Sequence, residues 1–297
     1  RIQVNIRQAS WRVHEMSLKK LRDVVYTGLA YLSLLLLIIP LAWIIFECII
    51  RGGYYIVSRP LEFFTDIGRP PGVEGGGIGH AIQGSLYMLG LALLIGVPTG
   101  MFAGIYLAER RNSPIAKAAR FVSDILVEFP TILVGIVTYI FLASKVTGIL
   151  ATGPAAFAAS LALALIMIPI VARSVEATFL TIPSEIREGA YALGFSSGQV
   201  IFRILLPAVK AGVVTAVLIG FAKIIGESAP VIVSNGISNF WFSKWTEPAP
   251  SIPVLIYVYG LSPFKEWQTQ AWAASLFLLL LVMGVGFLAR RLTKKLL

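Results

Sequence analysis

A chain of 297 residues in which 57% are apolar and 13% charged carries about half the charge of a soluble domain, which excludes an ordinary water-soluble fold. The formal charge of +10 raises nucleic acid as a partner, but most Lys and Arg flank long apolar runs, as on the inner side of a membrane protein, and no nucleic acid is expected. No G-x-x-x-x-G-K-[ST] occurs, so the chain has no P-loop for hydrolysing a nucleotide, and no cofactor is expected.

The chain opens on Arg1 rather than Met, which leaves open whether its natural start is present, and no cleavable signal-peptide pattern follows. Residues 1–25 read as a cytoplasmic arm with six Lys or Arg. Trp11, Val13, Met16, Leu21 and Val24 outline an apolar stripe that suits the membrane surface, and a loosely ordered basic tail fits equally well. The permease-sized remainder, 26–297, holds six predicted spans: 26–50, 80–107, 121–143, 154–172, 211–233 and 272–289. Pro40 and Pro98 are expected to kink the first two. Cys48 lies in an apolar run and predicts a packing role, and His14 and His80 are isolated, so no metal site is expected.

The Pro- and Gly-rich stretch 51–79 predicts an external loop, and its Gly75-Gly76-Gly77-Ile78-Gly79 run predicts a flexible turn. It follows no strand and lacks the G-x-G-x-x-G spacing of a phosphate loop. Asp124 and Glu128 lie four residues apart before Pro130. Asp124 is near enough to the inner surface to snorkel or pair with Arg120, whereas Glu128 lies deeper. Trp241, Trp245, Tyr257, Tyr259 and Trp267 in the outer segment 235–270 suit the headgroup level. Eighteen of the twenty-five Lys and Arg fall on one side of this topology, which places both termini inside.

Residues 173–210 form the longest polar interruption of the C-terminal half. Ser184 is a plausible N-cap for a first short helix, and Gly194 fits its left-handed end. Ser196 and Gln199 form a capping box that restarts a helix, and Pro207 ends it. An ordinary helical hairpin would read the same way. In the fifth span, Lys223 and Glu227 lie about 18 and 24 Å beyond Ala211, near and past the midplane of a bilayer about 30 Å thick. Gly226 and Pro230 bracket Glu227, which Ser228 follows, and are placed to break the helix there and free backbone groups for a ligand. The pair is either a substrate site or a self-neutralising structural pair.

The spacing Glu188-Gly189-Ala190, Gly194, Ile204, Leu206, Pro207 resembles the EAA loop of ABC-importer permeases, with Gly189 in place of the usual Ala. In that family this loop couples the permease to the ATPase subunit. The segments PPGVEGGGIGHAIQGSLYMLG, FVSDIL, PIVARSVEATF, REGAYALG, GESAPVI and SPFKEW extend the resemblance to phosphate permeases of the PstA type over nearly the whole chain. The resemblance implies an all-α integral membrane fold, a type I ABC-importer permease with six transmembrane helices and a cytoplasmic coupling loop. It implies residence in a prokaryotic cytoplasmic membrane with a second related permease, two ATPase subunits and an external phosphate-binding protein as partners. It also implies that Arg173, Lys223, Glu227 and Ser228 line an anion path. Lys223 stands where the family has Arg, and Glu128 where it has a small or hydroxyl residue. Sulfate, molybdate or a phosphonate is an alternative solute. An ion-coupled secondary transporter or channel is the alternative from another class, and the coupling-loop spacing argues against it. No nucleophile–base constellation supports a membrane enzyme.

Overall fold

The computed structural model describes the backbone of residues 2–296 and the side chains of residues 20, 22–288 and 291. Among the described residues the regular structure is helical, apart from one bridge between Gly68 and Gly76. Residues 1–50 and 51–297 form separate units. The first contains α1 (Ile2–Glu47), which runs through Pro40 and exposes apolar side chains from Val24 to Phe46. That surface suits hydrocarbon rather than water. The side chains of Trp11, Val13, Met16 and Leu21, where a stripe is expected, lie outside the described residues. A π-helical turn, Cys48–Gly52, follows, and Cys48 is a buried free thiol.

The second unit begins with the short helices α2 (Gly53–Ser58) and α3 (Pro60–Thr65). The expected flexible glycine turn is instead tied down against them. The Glu62 carboxylate accepts from Gly76 N at 2.7 Å and pairs with Arg69 at 2.9 Å. Tyr55 donates to Gly76 O, and Gln270 donates to Gly75 O. Gly75 and Gly76 have φ of +92° and +94°, which side-chain-bearing residues rarely adopt, so the run is glycine because the backbone is fixed. The hydrogen bond from Gly76, with Arg69 and Arg59 beside it, holds the Glu62 carboxyl below its ordinary range.

Next come α4 (Gly79–Glu109), α5 (Pro114–Glu128), α6 (Thr131–Thr138) with its π-helical extension Tyr139–Ala143, and α7 (Ala156–Phe179). The Ala-rich α7 is the most buried membrane helix of the unit, and α4 packs along it. Gly96, Gly100 and Gly104 recur every four residues, so the two backbones approach closely. A Cβ at Gly104 would stand 2.5 Å from Ala172 O and 2.7 Å from Val175 Cβ.

The stretch 121–143, expected as one span, is divided. Pro130 lacks an N–H and forces Phe129 into extended backbone, so α5 and α6 meet at 107°. After α7, the helices α8 (Ser184–Ala192) and α9 (Ser197–Gln199) lead through a π-helical stretch, Val200–Leu205, to α10 (Leu206–Ala208). Then come α11 (Lys210–Ile224), α12 (Ala229–Asn235), α13 (Ile252–Gly260) and α14 (Lys265–Leu296).

Four stretches are long and apolar enough to cross a bilayer: Arg22–Ser58, Gly79–Glu109, Ala156–Phe179 and Lys265–Leu288. Counting the α5/α6 pair and the bent pair Ser197–Ala208 with α11 gives six among the described residues. The fold is an all-α membrane fold. Of the outer aromatics, Tyr259 is buried and stacks on Trp267 at 4.4 Å, a core position rather than the headgroup level.

We predict that Gly104→Val forces α4 off α7 and destabilises the unit by about 1–3 kcal/mol. Thermal unfolding of the detergent-extracted protein measures this; an unchanged midpoint would show that the helices are not held by that contact.

Candidate functional site

Two ion clusters and one hairpin hold the residues singled out by sequence. In the first cluster, Lys223 sits in the last turn of α11 and Glu227 in the break before α12. The break is where Gly226 and Pro230 predict it, with Pro230 in the opening turn of α12 and Ser228 at its N-cap. Lys223 Nζ lies 2.7 Å from Glu227 Oε1. The other carboxylate oxygen accepts from the Thr131 hydroxyl at 3.1 Å, at the start of α6. Gly135 of α6 lies against Pro230 with no room for a Cβ, so the two helix starts are held side by side. A cation at the end of α11 and a carboxylate just before α12 both suit the helix dipoles. Glu227 is 11% exposed and Lys223 50%, so the carboxylate is fixed while the ammonium keeps an open side. Such a pair can accept an oxyanion on Lys223 and a hydroxyl proton on Glu227.

Arg173 belongs to the second cluster. The expected end of its span at 172 is too early, since α7 runs on to Phe179 and Arg173 lies inside the helix. Its Nη1 pairs with Glu176 Oε2 at 2.6 Å and its Nε with Asp124 Oδ1 at 3.1 Å. Arg120 takes the other oxygen of Glu176, at 2.6 Å from Nη2 and 2.9 Å from Nε. Of the two options for Asp124, snorkelling or pairing with Arg120, the second does not form: Glu176, 4% exposed, draws Arg120 across to α7, and Asp124 pairs with Arg173. A carboxylate so deeply buried requires matched cations. The cluster opens onto a cavity of about 420 Å³ lined by Arg111, Arg120, Arg173, Glu176, Ala177 and Leu180. Helix α11 runs antiparallel to α7, with Gly212 against Thr178 and Gly220 against Met167 and Val171. Arg173 thus lies about one to two helical turns from Lys223 along the pair.

The elbow between α5 and α6 touches both clusters, through Asp124 on one arm and Thr131 on the other. Glu128, at the end of α5, is exposed and forms no ion pair among the described residues; nothing in the structure explains a carboxylate there.

The hairpin 184–208 has the predicted bend. Gly194 has φ +83°, Gly194 N donates to Tyr191 O and Phe195 N to Ala190 O, the two bonds of a Schellman end. Ser196 N donates to Gln199 Oε1 at 2.9 Å, as the capping box requires. Ser184 is not the N-cap; Pro183 occupies that place and Ser184 opens the helix. Pro207 does not stop the helix either. It opens α10, and the chain turns at Val209, with 78° between the flanking helices. Glu188, Gly189, Gly194 and Pro207 are exposed, Ile204 and Leu206 partly buried, and Ala190 buried. A Cβ at Gly189 meets nothing within 4 Å, so the usual Ala would fit. Leu193, 80% exposed, is the large apolar side chain at the tip.

Sequence reasoning missed Glu176, Thr131, Arg187 and Glu109. Glu176 stands three residues after Arg173, a helical pairing distance concealed by ending the span at 172. Arg187, on α8, pairs with Glu109 of α4, a long-range contact with no local signal.

The model of the binding-protein-dependent transport system inner membrane component family matches residues 96–297. The phosphate transport system permease protein PstA of Yersinia pestis is 39% identical over 84% of this chain and 82% of its own length. The Haemophilus influenzae protein of the same name is 37% identical over 92% of this chain and 94% of its own. In fold, the chain is similar to a chain of a bacterial alginate ABC transporter, with a TM-score of 0.64 and 20% identity over 92% of this chain and 98% of that one. A chain of the MetNI methionine ABC transporter, in an inward-facing conformation, aligns with a TM-score of 0.60 and 22% identity over 73% of this chain and 94% of that one. With the family model matching two-thirds of its length and these relatives matching most of it, the chain belongs to the binding-protein-dependent transport system inner membrane components.

Proposed function

We propose that this chain is a permease subunit of an ATP-driven importer of inorganic phosphate, forming half of the translocation path. The observation that carries the reading is the Lys223–Glu227 pair at a helix break, in a chain whose relatives are phosphate permeases. A charge at that depth costs at least about 2.5–3.5 kcal/mol, and the half-open ammonium is not needed merely to neutralise Glu227. Phosphate near neutral pH carries both oxyanions and a hydroxyl. Lys223 meets the first, and Glu227 accepts from the second while repelling sulfate, which has no proton to give. Lys223 supplies a point charge rather than the bidentate fork of an arginine. Arg173 forms the next station one to two turns along, held ready by Glu176 and Asp124. Ser228 caps the helix start beside the pair.

Hydrolysis belongs to a pair of ATPase subunits, since this sequence carries no P-loop. A second, related permease completes the path, and an external phosphate-binding protein delivers the substrate. Residues 1–25 form a cytoplasmic arm and 26–297 the permease domain. The Lys and Arg bias puts both termini and the hairpin in the cytoplasm, with the chain in a prokaryotic inner membrane. The hairpin from Glu188 to Pro207 docks on the ATPase through its exposed side: Glu188, Gly189 and Leu193. Ala190, Ile204 and Leu206 hold the hairpin together from within.

Two predictions follow from these assignments. Lys223→Gln should abolish phosphate uptake with assembly intact, and Lys223→Arg should retain much of it. If the pair served only to neutralise itself, Lys223→Gln combined with Glu227→Gln would be tolerated. On the proposed reading the double variant assembles and stays inactive in uptake; restored transport sinks the anion-site assignment. For the hairpin, Leu193→Asp should release the ATPase subunit, and Gly194→Pro should do so by removing the Gly194 N–H bond and forbidding φ +83°. Co-purification with membrane insertion as control reads this, and normal association in both variants removes the docking claim.

A further inference from the structure

The Arg187 side chain is bonded to two other helix ends. Its Nε lies 3.2 Å from Glu109 Oε1, on the last residue of α4. Its Nη1 donates to Ile182 O at 3.1 Å, and its Nη2 to Phe179 O, the last residue of α7, at 2.8 Å. A carboxylate at the C-terminus of a helix faces the negative end of its dipole, so Glu109 is badly placed unless a cation offsets it. Arg187 offsets that charge and at the same time caps Phe179 O at the end of α7 and Ile182 O in the turn that follows. Both side chains of the pair are mostly buried, at 21% and 14% exposure, so water screens the contact little.

Helix α8 is joined to α7 through only the short turn 180–183 and to the rest of the hairpin through the bend at Gly194. The Arg187 fork removes the freedom such a turn would leave. It makes α8 a rigid extension of the α4–α7 pair, whose glycine-tight contact starts one and a half turns above Glu109, at Gly104. Glu176, which gathers Arg120 and Arg173, stands three residues before Phe179 on the same helix. A push on α8 is therefore delivered to α4 and α7 together, and through Glu176 to the elbow helix α5.

We propose that Arg187, with Glu109 as its partner, is a positioning residue for coupling: it transmits displacement of α8 to the membrane helices and is not itself part of the ATPase-docking face. The inference rests on the reading of α8 as the helix gripped by an ATPase subunit. The exposed residues Glu188 and Leu193 make the docking contact; Arg187 converts it into movement of α4 and α7.

The test uses the complete reconstituted importer and two readouts. One is phosphate imported per ATP hydrolysed. The other is maleimide labelling of Asn112→Cys, an exposed position in the turn that follows α4, with and without vanadate-trapped nucleotide. Arg187→Ala and Glu109→Ala should each lower the transport ratio at least about fivefold while the ATPase still co-purifies. Each should also abolish the nucleotide-dependent change in labelling. The double variant should be no worse than Arg187→Ala alone, because both remove one interaction. Arg187→Lys should recover part of the ratio, since it keeps the charge opposite Glu109 but reaches fewer of the three acceptors. A ratio within about twofold of the parent in Arg187→Ala, or a loss that tracks lost ATPase association, overturns the proposal. The labelling readout needs no particular solute. A complex that failed to carry phosphate would count against the substrate reading, while labelling would still decide on Arg187.

Discussion

The structure depends on one constraint: a charge buried within the membrane unit must be matched by another. Three ion clusters of the membrane unit obey it, each with a different purpose on the proposed reading. Lys223 and Glu227 match each other across a helix break, with the cation left half open. Glu176 is shut away and holds Arg120 and Arg173 in fixed orientations. Arg187 and Glu109 lock a peripheral helix to the ends of two central ones. Removing one member of a buried pair costs about 3–5 kcal/mol, against about 0–1 kcal/mol for an exposed pair. Such clusters therefore fix geometry that apolar packing alone would leave free to slide.

Proline and glycine decide where those charges can sit. Pro130 splits α5 from α6 and presents Thr131 at a fresh helix start, while the Gly226–Pro230 interval splits α11 from α12. Gly135 then allows α6 to lie against Pro230, so both starts converge beside Glu227. Broken helices free backbone groups that a continuous span would consume, and within a bilayer they are tolerated only where protein or a water-filled path surrounds them. Gly96, Gly100 and Gly104 hold α4 close to α7, which makes α4 and α7 the stable frame that the breaks adjoin.

Features set by local chemistry were legible in the sequence. The Schellman glycine at 194, the capping box at Ser196 and Gln199, and the pairing of Lys223 with Glu227 four residues on all follow from spacing along one helix or turn. What escaped notice depends on contacts between distant segments. Arg120 was nearest Asp124 in sequence, but a buried carboxylate on α7 outcompetes an exposed one on its own helix. Ala190 belongs to a motif expected to dock on a partner, yet its side chain faces inward, and exposure passes to Leu193. The glycine run at 75–79 looked flexible because composition does not reveal that Glu62 and Gln270 hold its backbone. Hydropathy places a span but not a 107° bend within it, since both arms are apolar.

The central claim is that nucleotide hydrolysis on a separate subunit drives phosphate through a path shared by this chain. Its most direct measurement is phosphate accumulation in proteoliposomes containing this permease, its related permease and the ATPase pair, with the external binding protein supplied. Varying ATP and the proton gradient independently separates the two energy sources. The account predicts accumulation that requires ATP and the binding protein and is indifferent to collapse of the gradient. Accumulation that persists without the ATPase subunits and disappears when the gradient is collapsed would contradict it.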